Sequence, residues 1–343
     1  MATGKEIRTM ITLEDDVLNI RCPSVHIDAH VELEFQRTLR IPDDDGIYSL
    51  PAGLGRFPIR HVEDFSESLG KITLQRGGVI MPMHSSEAMW INFRSGHQRS
   101  SDKSYPFAIK VAAGKINALT GEAWSPLLSA DPQDYIVIPE QPWIDGFAVS
   151  KGIIRQFVAE QLGKGFSVEE QLTGEAKVGG LQIVAYPMKS KRYLALRRAR
   201  QQEVSCCMMA EISYASMGLG GGGRMRQEIY ADPYGIGAWD QQAGSRCFVH
   251  LVDAGQWSEL TGCPPLTQPL TKWDYEQSGL PWFDYYAPEK SAISGSKRLA
   301  GLKSWAAKHI WAGRPDGQVS DQPIQLGTAR RHKGVVSEGI SLD

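Results

Sequence analysis

The sequence predicts a mainly β protein with minor α content, an α+β fold built on an antiparallel sandwich or barrel-like core with a C-terminal helix. Three observations carry this expectation. Residues 25–35 alternate without a break, with Val25, Ile27, Ala29, Val31, Leu33 and Phe35 on one face and polar residues on the other, as in a strand with one wet face. Short runs rich in Val, Ile and aromatic residues then recur through the first two hundred positions, bounded by Gly, Pro, Asp or Ser. Few helical periodicities interrupt them, which favours a sandwich or barrel over an alternating strand–helix array.

In chain order, the first strand is expected to bury Val31, Leu33 and Phe35 and to expose Glu32 and Glu34, since a one-residue slip would put both glutamates in the core. Residues 41–58 are dense in Pro, Gly and Asp and read as a long ordered loop. Strands are expected at 78–82, 88–93, 107–112, 115–119, 135–138, 146–149, 153–158 and 181–186, with a tight hairpin at Ala113-Gly114 and a turn at Thr120-Gly121. From Lys189 the composition shifts: Lys189, Lys191, Arg192, Arg197, Arg198 and Arg200 crowd into twelve residues, and the run Gly220-Gly-Gly-Gly-Arg-Met-Arg226 follows. Residues 247–252 read as a buried strand, after which Asp253 can cap a short helix through Trp257 and Leu260. Leu299, Leu302, Ala306 and Ile310 fall three to four apart and predict an amphipathic helix begun near Ser294 or Ser296. The organisation expected is a β-rich core over 20–188, a basic and glycine-rich segment over 189–230, an α+β portion over 231–312 packed on the core, and a polar tail over 313–343.

Of the 343 residues, 42% are hydrophobic and 22% charged, and nine are Trp, a composition that folds around a core. Thirty-seven Lys and Arg stand against thirty-nine Asp and Glu. Generic nucleic-acid binding usually needs a basic excess and is therefore not expected. Five cysteines without regular spacing and an N-terminus lacking an apolar stretch point to a reducing, cytoplasmic setting. The stretch nearest to a membrane span, 204–223, is too rich in Ser, Gly and Tyr to be one.

The glycine run is the leading site. Glycine loses more backbone freedom on folding than any other residue, so such a run is either mobile or held in positive-φ geometry. Bare amides of Gly220, Gly221, Gly222 and Gly223 beside Arg224 and Arg226 could cradle an anion; the alternative is a flexible surface loop. Gly218, Gly220 and Gly223 formally satisfy G-x-G-x-x-G, but Asp232-Pro233 leaves too little room for the helix that a dinucleotide fold requires. Two aromatic strings, Pro142-Trp-Ile-Asp-Gly-Phe147 and Leu280-Pro-Trp-Phe-Asp-Tyr-Tyr286, set Trp143 and Trp282 beside carboxylates. They are ligand-stacking candidates or plugs that close the core.

His26, Asp28 and His30 would share the polar face of a strand and could ligate a metal, or simply form a solvated face continued by Glu32 and Glu34. Glu87, Glu140 and Asp145 sit near strand ends, where a glycosidase-like chemistry would need two of them across a cleft. Cys206-Cys207 and Cys247 read as buried apolar volume.

The strings Phe35-Gln-Arg-Thr-Leu-Arg-Ile-Pro-Asp43, Leu50-Pro-Ala-Gly-Leu-Gly-Arg-Phe-Pro58, Lys110-Val-Ala-Ala-Gly-Lys-Ile-Asn117 and Gly279-Leu-Pro-Trp-Phe-Asp-Tyr-Tyr286 resemble those of a family of uncharacterised microbial proteins with no established activity. The resemblance spans most of the chain and implies a single integrated protein. The expectation is thus a soluble, non-enzymatic ligand-binding or assembly protein that engages an anionic small molecule or a protein partner, with oligomerisation open and no cofactor or metal. The rival is a metal-assisted or carboxylate-dependent hydrolase using His26, Asp28 and His30, or Glu87 and Glu140.

Overall fold

The computed structural model describes residues 10–44, 46–85, 87–95, 104–202, 221–264, 266–284, 287 and 289–303. The fold is β-rich α+β, built on two large sheets, neither of which closes into a barrel. The first sheet runs, neighbour by neighbour, β1 (Met10–Glu14), β2 (Val17–Arg21), β3 (His30–Thr38), β9 (Ala88–Ser95), β15 (Ile153–Val158), β17 (Gly221–Arg226) and β4 (Ile47–Tyr48). Three shorter strands extend it: β6 (Gly53–Arg56) on β3, β13 (Trp143–Ile144) on β9 and β14 (Gly146–Ser150) on β15. The second sheet runs β11 (Ile116–Asn117), β10 (Phe107–Ala113), β16 (Leu181–Pro187), β18 (Ser245–Asp253), β8 (Val79–Met83) and β7 (Arg60–His61), with β12 (Ile136–Ile138) on β10. A two-stranded ribbon pairs β5 (Leu50–Pro51) with β19 (Trp282–Phe283).

The two sheets share one core. Leu33, Phe35, Met89, Ile91 and Phe157 of the first pack with Phe107, Ile109, Ile183, Cys247 and Val249 of the second. Period-2 alternation places these residues on facing sides, and their burial drives the association. Most strand pairs are antiparallel, but β8 lies parallel to β18 and β4 parallel to β17. Each of these partners comes from a distant part of the chain, where no hairpin dictates direction.

The helices are short and locally specified. They are α1 (Lys71–Arg76), α2 (Val168–Thr173), α3 (Ser190–Gln202), α4 (Ala254–Thr261), α5 (Lys272–Gln277) and α6 (Lys297–Ala300). Ser167 and Glu170 form a capping box that starts α2, and Asp253 caps α4 by accepting from the Gly255 amide, as the sequence suggests. Ser296 caps α6, which ends at Ala300 with Gly301 as its C-cap; residues 301–303 are not helical, so the continuous helix expected over 299–310 does not form there, and residues 304–310 lie outside the described residues. Among the described residues no helix is long and apolar enough to cross a membrane.

The start of the first expected strand needs correction. Val31, Leu33 and Phe35 are fully buried in β3, but residues 22–29 form a turn closed by the Cys22 amide on the Ala29 carbonyl and the Ala29 amide on the His26 carbonyl. Ile27, assigned to the apolar face, is 83% exposed. Alternation alone cannot distinguish a strand from a turn that happens to carry alternating residues, and here the backbone hydrogen bonds decide. Glu34 is also buried, contrary to expectation. Its Oε2 accepts from Gln36 Nε2 and Asn92 Nδ2, each at 3.0 Å, and its Oε1 accepts from Arg94. The outer face of β3 is therefore covered too, and the carboxylate there is bonded rather than solvated.

Candidate functional site

The strand β15 reads Ile-Ile-Arg-Gln-Phe-Val, and Arg155 is the one polar residue on the face it shares with Ile153 and Phe157. Its alternation sends Ile153, Arg155 and Phe157 toward the inter-sheet core and Ile154, Gln156 and Val158 to the other face. The neighbour β17 pairs Arg224 with Arg155 and Gly221 with Phe157, so three residue steps of β17 run against two of β15. One residue of β17 is thus extra, a bulge in the ladder.

This bulge explains the glycines. Gly221, Gly222 and Gly223 are buried within β17, and none has a positive φ, so the described part of the run is neither a loop nor a left-handed turn. The sequence expectation is corrected on this point; Gly220 lies outside the described residues. What these positions need is space. A Cβ on Gly223 would lie 2.1 Å from the Pro42 carbonyl oxygen, and one on Gly222 would lie 2.6 Å from Val158 Cγ2. Residues 39–42 cross the sheet here at backbone distance. Gln156, fully buried, clamps them by donating to the Leu39 carbonyl at 2.9 Å and accepting from the Ile41 amide at 3.1 Å. On the other side, Gly221 leaves room for Arg155, whose Cδ would stand 3.3 Å from an added Cβ.

Arg155 is only 8% exposed, and its Nε and Nη1 are buried without a hydrogen-bond partner among the described residues. Burial weighs against its positive charge; Asp43 supports that charge and Arg224 opposes it. Because a guanidinium does not give up its proton under ordinary conditions, the site carries a desolvated cation with a second cation opposite it in register. Arg226 is different: it is exposed and stands 3.7 Å from an equally exposed Asp284, a pairing of little energetic weight.

Trp143 and Trp282 lie elsewhere. Trp143 packs 5.9 Å from Trp90 and Trp282 packs 5.2 Å from Tyr275, both in a second apolar cluster with Ile41, Leu50, Ile154 and Met225. Since Met225 points into that cluster, its neighbour Arg224 faces the opposite side of β17. The structure therefore brings the tryptophans and β17 into one neighbourhood but places Arg155 and Arg224 on the opposite face of the sheet from them. The basic residues before the run are likewise apart from it. The helix α3 docks through Tyr193 on Tyr105 and His26, with Arg197 3.6 Å from Asp28, three strands along the sheet from β17.

The remaining candidates fall into separate surroundings. His26 Nδ1 accepts from the Asp28 amide at 3.1 Å inside the turn, and His30 Nε2 contacts Asn19 Oδ1 at 3.0 Å, so the shared strand face expected for them does not form. Among the described residues no three His, Cys, Asp or Glu side chains converge as a metal site. Glu87 is buried, which pushes its pKa up, while Arg37 Nε donates to it at 2.6 Å and pulls it back. Glu140 accepts from the Tyr234 hydroxyl at 2.8 Å and pairs with Lys290 at 2.9 Å. Asp145, wholly enclosed, is pushed up to about 8 by burial, against the lowering effect of bonds from Gln227 and Trp143. Each carboxylate has its own partner set.

Arg155 is the residue that reading for motifs misses. The signal was present: a lone arginine on the apolar face of a six-residue strand. No protein-family model matches the chain, nor does any curated protein or solved structure.

Proposed function

We propose that this chain is a ligand-binding protein that holds an anion between Arg155 and Arg224, the side chains of two paired strands. The observation that carries the reading is the burial of Arg155 with two guanidinium N–H-bearing nitrogens unbonded among the described residues and a like charge opposite. Asp43 offsets only part of the penalty of burying this charge; a buried cation short of partners costs several kcal/mol, whereas a carboxylate or phosphate oxygen would accept from both guanidinium groups in charge-assisted bonds. Gly221 favours the same arrangement by leaving space alongside Arg155. The anionic ligand expected from the sequence thus keeps Arg224 and gains Arg155, while Arg226 and the tryptophans lose weight.

The test is thermal unfolding in phosphate, sulfate or malonate against chloride at equal ionic strength. A ligand that binds only the folded state raises Tm with its concentration. Wild type should respond to at least one of these anions, and Arg155→Met should not, while retaining or exceeding wild-type stability in chloride because an unpaired buried charge has been removed. Equal anion responses in the two proteins, or none in wild type, would refute the reading.

A further inference from the structure

A concavity of about 630 Å³, whose lining includes neither Arg155 nor Arg224, lies between α2 with the loop that precedes it and α6 with the residues on its C-terminal side. Its described lining includes Lys164, Lys297, Arg298 and Lys303 and contains no carboxylate, in a chain whose net charge is -2. Arg298 is engaged by Glu122. Lys164 and Lys297 are exposed and form no ion pair among the described residues.

The walls are held in place. Gln171, on α2, donates to the carbonyls of Phe166 at 2.9 Å and Lys303 at 3.1 Å and accepts from the Lys303 amide at 2.9 Å. One side chain therefore ties together two stretches of chain more than a hundred residues apart, and the backbone of the walls is fixed without having to be ordered by a ligand. Phe166, Leu172 and Leu302 supply apolar surface within the same lining. Cations gathered in a concave, partly apolar surface focus a positive potential into it, and the volume is that of a small-molecule site.

We infer that this concavity is a second binding site, independent of Arg155, for a small phosphomonoester with an apolar body. Ammonium groups act as compact point charges that suit a phosphate dianion, and Phe166, Leu172 and Leu302 would cover the remainder of the ligand.

Calorimetric titration with 1-naphthyl phosphate, inorganic phosphate and 1-naphthol tests it on the full chain. The naphthyl phosphate should bind more tightly than either fragment, and the double variant Lys164→Glu with Lys297→Glu should weaken it by about tenfold or more as charge-assisted contacts become repulsive. Both positions are exposed, so an unchanged Tm serves as the folding control. Arg155→Met should leave this affinity unchanged, which separates the result from the reading of the Arg155 site. Absence of binding, binding equal in the double variant, or binding abolished by Arg155→Met would each overturn the inference.

Discussion

Replacing Asp145 by Asn should remove much of the fall in stability that the protein shows as pH rises from weakly acidic to weakly basic. The carboxyl is wholly enclosed, accepts from Gln227 Nε2 at 2.5 Å, and has its pKa pushed from 3.8 to about 8 by burial. In the unfolded chain it ionises near pH 4, while in the folded chain it keeps its proton to about pH 8, so the folded state binds more protons between these limits. Stability contributed by the protonated acid is therefore fully present below the unfolded value and lost as pH rises to the folded one. At about 1.4 kcal/mol per pKa unit, a shift of roughly four units corresponds to a loss on the order of 5 kcal/mol across the window. Asn keeps a carbonyl to accept from Gln227 and has no proton to lose. Urea unfolding of both proteins, at intervals from about pH 5 to about pH 9, should give a stability difference that changes by roughly 1 kcal/mol or more per pH unit and levels off above about pH 8. Glu160, also pushed up to about 8 by burial, adds a slope of its own, but it is common to both proteins and cancels in the difference. Stability curves that run parallel over the whole range would refute the argument, whatever their vertical offset.

Two further outcomes test the packing around the site. Gly223→Ala should destabilise the protein by about 3 kcal/mol or more, because its Cβ would meet the Pro42 carbonyl oxygen at 2.1 Å and neither backbone segment can yield cheaply; a urea midpoint within error of wild type would show that residues 39–42 do not press on the strand. Cys247 is pushed up to about 12 by burial, so an alkylating reagent at about pH 8 should spare it in the native protein and label it after unfolding, as peptide mapping would show. Native-state labelling of Cys247 would mean that β18 opens far more readily than its core position implies.

The sequence by itself determined the elements whose cause is local. The strand at 153–158 appears with the bounds expected of it, the runs at 88–93, 107–112 and 181–186 become β9, β10 and β16 with one or two residues added, and Asp253 caps α4. Alternation, β-branched residues and capping side chains act within a few residues, so they can be read along the chain. The burial of Val31, Leu33 and Phe35 belongs to the same category.

Only the tertiary structure decided the rest, because it depends on residues remote in sequence. The glycine run reads as a mobile or positive-φ segment until Ile41 and Pro42 are seen crossing Gly223, a contact spanning about 180 positions that no local pattern encodes. Glu34 reads as a solvated glutamate until Asn92 and Arg94 arrive from β9. Arg155 reads as one cation among many until β17 brings Arg224 opposite it and the core removes its water. Local preference specifies which stretches become strands; the order of those strands, and hence which charges meet and which are stripped of solvent, is set by burial of the whole core at once.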